Sequence, residues 1–372
     1  VSRMSSNDTL LSPVNVGGLQ LNNRVVMAPM TRNQSPDNVP TDANVEYYRK
    51  RAAGGVGLIV TEGTCVDHIA ASGYPNVPYI HGEDRLAGWK RVVDAVHAEG
   101  GKIAPQLWHV GGMRKRGVAP EGDVDGYAPS GMNMPGKVNR YTMTTSDIDD
   151  VIAAFAKGAR DAKAVGFDAV EIHGAHGYLL DQFLWEGTNQ RDDGYGGSMA
   201  KRGRFVAEIV AACRSEVGSD FPLILRWSQW KQQDYTARLA PTEATLADFL
   251  QPLVDAGVDM FHCSQRRFWE PEFEGSDLNL AGWVKKLTGL PTITVGSVSL
   301  DADFIPDPGE IGFKAAKPAS LDKLNKMLDR GDFDLVAVGR ALIANPDWVR
   351  VLERGDVSGL VAFEKPMLMT LD

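Results

Sequence analysis

Short apolar runs rich in β-branched residues recur along this chain, and after each one the apolar positions fall back to a spacing of three or four. The runs are RVVMAPM (24–30), VGLIVTEG (56–63), KIAPQLWH (102–109), FDAVEIHG (167–174), PLILRWS (222–228), VDMFHCS (258–264), PTITVGS (291–297) and FDLVAVGR (333–340). Their length and turn-forming flanks mark them as buried strands. Helices are predicted between them near 42–53, 83–100, 146–165, 199–217, 242–256, 278–289, 318–330 and 346–354, with Asp84, Asp147 and Thr242 as start signals. Eight strands alternating with eight helices predict an α/β fold, a (β/α)8 TIM barrel, with residues 1–372 forming one domain. Ahead of the first strand, SPVNVGGLQLNN reads as an N-terminal β-hairpin able to plug the barrel's N-terminal face. The loops after strands 3, 6 and 7 (110–145, 264–279 and 301–318) exceed what a barrel requires, and such loops usually carry function.

Composition narrows the class. The chain is 43% hydrophobic and 23% charged, with no apolar run near the ~18 residues of a membrane span, so a soluble protein is expected. A net charge of -9 without like-charge blocks argues against a nucleic-acid or membrane surface, while leaving room for a local basic pocket. Cys65, Cys213 and Cys263 are too few and too dispersed for a disulfide framework. Val1-Ser2-Arg3 ahead of Met4 is followed by no apolar core of a signal, and a cytoplasmic location is expected.

A barrel's chemistry sits at the C-terminal ends of its strands. Here those ends carry Thr31-Arg32, Gly63-Thr64, Gln106 with Trp108-His109, His173 with His176, Arg226, Cys263-Ser264, Gly296-Ser297 and Gly339-Arg340. Amide, guanidinium and imidazole groups converge there with few carboxylates, which suits an anionic, hydrogen-bonding ligand. Gly296 and Gly339 would let backbone N–H groups approach a phosphate, and Arg340 could bind it bidentately. His173 and His176 admit three readings: a metal site, a structural polar cluster, or an acid/base and anchoring group. A metal is not expected, because no Cys or Asp completes a set at ligand spacing and Glu171 should point away from the neighbouring histidine.

The ordered motifs APMTR, TEG, QLWHVG, HGAHGYLLDQFL, NQRDDGYGGS, LRWS and VGRALIANPD span nearly the whole chain and resemble the old yellow enzyme family of FMN-dependent ene-reductases. The resemblance implies non-covalent FMN, with NADPH or NADH as reductant. Ala28-Pro29-Met30-Thr31 would lie along the flavin, Gly63 would offer it a backbone contact, and Gln106 would match its pyrimidine ring. Arg226 would sit near N1, and Gly296, Gly339 and Arg340 would cradle the phosphate. His173 and His176 would bind the acceptor oxygen, and Tyr178 would protonate the α-carbon. Trp108 is expected to shape the substrate pocket, and Phe268 and Trp269 to cover the flavin or meet another subunit. Arg191 and Asp193 are expected to pair structurally, and Ser198 to cap the next helix. The expected partners are small activated alkenes, and a homo-oligomer is left open. Two alternatives remain: an FMN-dependent reductase of another acceptor, such as a nitroester or quinone, and a non-catalytic FMN-binding stress protein.

Overall fold

The computed structural model describes residues 6–306, 308 and 313–372; positions 307 and 309–312 of the 301–318 loop, and residues 1–5, lie outside this set. A short α1 (Asp8–Leu11) and a hairpin of β1 (Val14–Val16) and β2 (Leu19–Leu21) precede β3 (Val25–Met27). There follow α2 (Asp42–Ala53), β4 (Leu58–Cys65), α3 (Glu83–Ala98) and β5 (Lys102–Trp108). The long loop after β5 folds into β6 (Tyr127–Ala128), β7 (Met132–Met134), β8 (Lys137–Val138) and β9 (Tyr141–Thr142). Next come α4 (Thr145–Val165), β10 (Val170–His176), α5 (Leu179–Leu184), α6 (Met199–Val217), β11 (Leu223–Lys231) and α7 (Glu243–Ala256). The chain continues through β12 (Met260–Ser264), α8 (Leu280–Thr288), β13 (Thr292–Val295), α9 (Asp322–Asp329), β14 (Leu335–Val338), α10 (Arg340–Ala344) and α11 (Trp348–Arg354).

β3, β4, β5 and β10 through β14 close into one barrel with β14 pairing back to β3, every pairing parallel. The fold is the (β/α)8 barrel the alternation predicts. Two apolar cores follow from the strand period of two. The larger lies between strands and helices, whereas the smaller fills the barrel itself with Val26, Leu58, Ala104, Ala169, Ile224, Met260, Ile293 and Leu335 among others. The hairpin seals the bottom of that inner core with Val16, Leu19 and Leu21. Its turn needs glycine at Gly17, where φ is 55° and a Cβ would stand 2.6 Å from the Met260 Cε.

Several boundaries differ from expectation. The first strand is three residues long, because Pro29 cannot donate to a ladder; Ala28 still donates to Val338 O at 2.9 Å, and the chain leaves the sheet after it. β4 and β11 run on to Cys65 and Lys231. The start of α4 is capped by Thr144 with Asp147 as its reciprocal partner, and α3 is preceded by Gly82, so Asp84 and Asp147 lie inside first turns; Thr242 and Ser198 do cap their helices. Neither α5 nor α10 is predicted. α5 is buried all round, so no polar face marks its period.

Candidate active site

At the C-terminal mouth lies a cavity of about 520 Å³, in the range of cofactor pockets. Ala28, Pro29, Met30 and Thr31 form one wall, and Gly296, Gly339 and Arg340 another. Gln106, Trp108, His173, His176, Tyr178 and Arg226 project into it from β5, β10, β11 and the turn after β10. Gly63 stands behind this wall. A Cβ there would meet the Trp108 Cε3 at 2.4 Å, so its bareness seats the indole. Phe268 and Trp269 do not line the cavity, so of their two expected parts the structure gives no support to covering the flavin. The Phe268 backbone is tied down by its N–H to Gly296 O (3.0 Å) and by Asn279 Nδ2 to its carbonyl (2.9 Å), which turns its ring into the outer core.

The two histidines are neutral, and His173 is placed as a donor. The Ala175 N–H donates to His173 Nδ1 at 3.3 Å, so a neutral ring carries its proton on Nε2. Burial, and after it the Arg226 charge, holds both imidazoles well below their ordinary range. His176 sits at φ 64°, its Nε2 2.6 Å from Ser264 Oγ and its ring stacked on Trp230 at 4.4 Å. Side chains past the end of the usual strand hold this strained turn: Gln232 Nε2 donates to His176 O (2.8 Å) and Gln233 Nε2 to Gly177 O (2.9 Å). Beneath it Lys231 Nζ lies 2.7 Å from Asp181 Oδ1, both fully buried, and Asp181 Oδ2 accepts from the Gly177 N–H at 2.8 Å.

Tyr178 begins α5, its ring centroid 5.1 Å from those of Trp108 and His173. Burial, reinforced by Tyr74, pushes its phenol well above the ordinary range, so the proton stays on it at neutral pH. The Tyr74 hydroxyl lies 3.0 Å from that of Tyr178, and the Tyr74 ring stacks on Trp108 at 5.6 Å. Tyr74 carries no strand-end signal and was missed by sequence reasoning. Trp230, Tyr235 and Phe304 were missed as well, although the aromatic WSQWKQQDY run could have drawn attention to the first two.

Arg340 lines the cavity and is at the same time committed to loop carbonyls. Its Nη1 donates to Asp303 O (3.1 Å) and Lys314 O (3.0 Å), and its Nη2 to Ala302 O (2.7 Å). The guanidinium thereby ties together residues 302, 303 and 314 of the 301–318 loop, and its Nε–H and second Nη2–H are not used in these bonds. Burial lowers its pKa to about 10. Asp303 fastens the same loop to Arg266 (2.9 Å) and Arg267 (2.8 Å). Gly296, at φ 136°, admits no side chain, since a Cβ would lie 2.5 Å from Gln265 O. Arg191 and Asp193 pair at 2.6 Å in the turn before α6, away from the cavity wall. Glu171 also departs from expectation: two residues before His173, it shares that residue's inward face, where Gln106 and His262 meet it.

These residues fit a flavin. Gln106 offers a donor and an acceptor together, Arg226 has a buried Nε without a protein partner, and the glycine-lined ends of β13 and β14 leave backbone exposed to the cavity. Among the described residues no group of His, Cys, Asp and Glu is placed to hold a metal, and no helix is long and apolar enough to cross a membrane.

Residues 9–306 match the model of the NADH:flavin oxidoreductase / NADH oxidase family. A flavin oxidoreductase (hxnT) of Emericella nidulans is 35% identical, the match covering 95% of this chain and 92% of the relative. 12-Oxophytodienoate reductase 7 of Oryza sativa subsp. japonica is 34% identical over 91% of this chain and 86% of its own. Among solved structures, morphinone reductase in complex with tetrahydroNAD superposes with a TM-score of 0.80 at 31% identity, covering 97% of this chain and 94% of that one. The old yellow enzyme homologue from Zymomonas mobilis gives 0.79 at 26% identity, with 98% and 97% covered. With its closed barrel and polar mouth, the chain belongs to the NADH:flavin oxidoreductase / NADH oxidase family and is a flavin oxidoreductase of the old yellow enzyme type.

Proposed function

We propose that this enzyme is an ene-reductase, using NADPH or NADH to reduce the C=C bond of an α,β-unsaturated carbonyl compound or nitroalkene. FMN, when bound, supplies hydride acceptance from the nicotinamide and hydride donation to the β-carbon. The chain's own part is to hold the acceptor and manage its charge. His173 donates its Nε2–H to the carbonyl or nitro oxygen, with His176 beside it, as negative charge grows there. Their neutrality matters, because a neutral donor keeps its proton and acts by hydrogen bonding. Tyr178 gives a proton to the α-carbon, and Trp108 forms the wall against which the acceptor lies. Relatives named as reductases of 12-oxophytodienoate and of morphinone support an organic acceptor.

The observation that carries this reading is the convergence of two neutral imidazoles and one protonated phenol on a single cavity, His173 lying 5.4 Å from His176 and 5.1 Å from Tyr178 between ring centroids. Anaerobic spectra of the FMN-loaded protein test it. NADPH should bleach the flavin band and 2-cyclohexenone restore it. In Tyr178→Phe the bleaching should keep its rate while restoration slows 10²-fold or more, within the range of general acid catalysis. Equal restoration in the variant would remove Tyr178 from the mechanism. Restoration by a quinone or nitroester alone, with no saturated ketone by mass, would point to a different acceptor.

A further inference from the structure

Behind the cavity wall, Gln106 is one end of a buried chain. Its Nε2 donates to Glu171 Oε2 at 2.9 Å, and Glu171 Oε1 lies 2.5 Å from His262 Nδ1. Glu171 and His262 are wholly buried and line no part of the cavity. They come from β10 and β12, where inward positions two residues earlier hold Ala169 and Met260. Apolar residues would fill these places without the several kcal/mol that a buried carboxylate costs before it is paired. A pair retained at such a cost in the middle of the barrel calls for a role beyond packing.

We propose that Glu171, braced by His262, is a positioning residue that sets the orientation of the Gln106 amide and places a fixed negative charge below the flavin, opposite Arg226. The inference rests on the reading that FMN fills the cavity. An amide side chain can present either end to a neighbour, and the carboxylate rejects one of the two, since Oε1 against Glu171 would set acceptor on acceptor. The accepted orientation leaves one N–H and the carbonyl oxygen free, side by side, which is the complement of a ring carrying adjacent C=O and N–H groups. His262 suits the brace. Burial lowers its pKa, so with Nδ1–H donating to Glu171 the ring stays neutral and leaves the carboxylate's charge in place. Arg226 pairs in register with His262 and, among the described residues, has a 3.5 Å contact to Ser264 Oγ, while the Glu171 carboxylate acts on its charge from the neighbouring strand.

The test measures FMN affinity by fluorescence titration of the apoprotein and the flavin midpoint potential by anaerobic dye equilibration. Glu171→Gln should weaken FMN binding about tenfold, because its side chain accepts either amide orientation. It should also shift the two-electron equilibrium about tenfold toward the reduced state, roughly 30 mV upward. His262→Leu removes the brace and leaves the charge less screened, so the potential should move downward, while His262→Asn keeps a donor and should leave it at the wild-type value. Opposite signs from two neighbours are not a signature of loosened packing. If Glu171→Gln does not fold, the His262 pair still decides. Wild-type protein that binds FMN, with variants that leave affinity and potential unchanged, overturns the proposal alone. Wild-type protein that takes up no FMN overturns the functional reading beneath it.

Discussion

Lys231 and Asp181 show how much a single buried contact governs here. Burial pushes the Asp181 carboxyl up and the Lys231 amine down, and their 2.7 Å contact opposes both shifts. Removing one partner leaves an uncompensated charge beneath the His176–Tyr178 turn. Lys231→Met should therefore cost about 3–5 kcal/mol in urea unfolding of the apoprotein, far more than an exposed pair. A loss below 1 kcal/mol would show that the turn stands without it. Gly63 makes a different kind of contact, with Trp108. In Gly63→Ala the added carbon meets the indole, and either the backbone or the ring must move; a cost of about 1–3 kcal/mol is expected, with a shifted tryptophan emission. Unchanged emission and stability would mean that the indole is free to yield.

At the scale of elements, the helices are begun by polar residues and placed by their apolar faces. α4 is the clearest case. Thr144 Oγ1 accepts from the Asp147 N–H at 3.1 Å, and Asp147 Oδ2 accepts from the Thr144 N–H at 2.7 Å. Thr144→Ala should lower stability by about 1 kcal/mol, and Thr144→Ser should recover most of it. Both values are readable as shifts in urea midpoint, and equal stability of all three proteins would refute the capping argument. The loop elements obey a different logic. The 301–318 loop is held at its described residues by Arg340, Arg266 and Arg267, and its Phe304 packs against Trp230 at 5.6 Å. Phe304 and Phe313 of this loop line the mouth of the cavity.

For the whole molecule, buried titratable groups set the acid limit. His109, His173 and His176 are held well below the ordinary imidazole range by burial. Unfolded, each takes a proton below about pH 6.5, so the unfolded state binds more protons and stability falls as the pH drops. Glu62 acts oppositely. Burial raises its pKa to about 7, so its contribution is full at low pH and is lost as pH rises through 7. His68, His81 and His262 are held low by burial as well, while Asp181 and Glu272 join Glu62 in being held high; the imidazoles outnumber the carboxyls, so stability should fall as the pH drops from about 6.5 toward 5. Urea midpoints of the apoprotein at pH 5, 6 and 7 check this; a midpoint that is flat or rises toward pH 5 contradicts it.

The order of strands and helices, the plugging hairpin and most of the cavity wall were legible in the sequence. The reason is local: β-branched runs and their period of two determine which residues face inward, and a barrel places the last of them at its mouth. Gln106, His173, Arg226 and Tyr178 could be selected on that basis and from the motifs that carry the family resemblance. Partnership was not legible. Glu171 meets His262 across 91 positions, Tyr178 meets Tyr74 across 104, and Lys231 meets Asp181 across 50. These pairs depend on the stagger between strands once the barrel closes, and on the course of loops between them. The same closure turned Phe268 away from the cavity and bound the Arg340 guanidinium to loop carbonyls, since backbone hydrogen bonding at those points is settled by distant segments. Sequence alone determined which strand-end groups stand at the mouth of this barrel, because the period of two is local; tertiary structure added Tyr74, Tyr235 and Phe304 from loops and Trp230 from the extended end of β11, and decided which partners each group meets, because those contacts join distant segments.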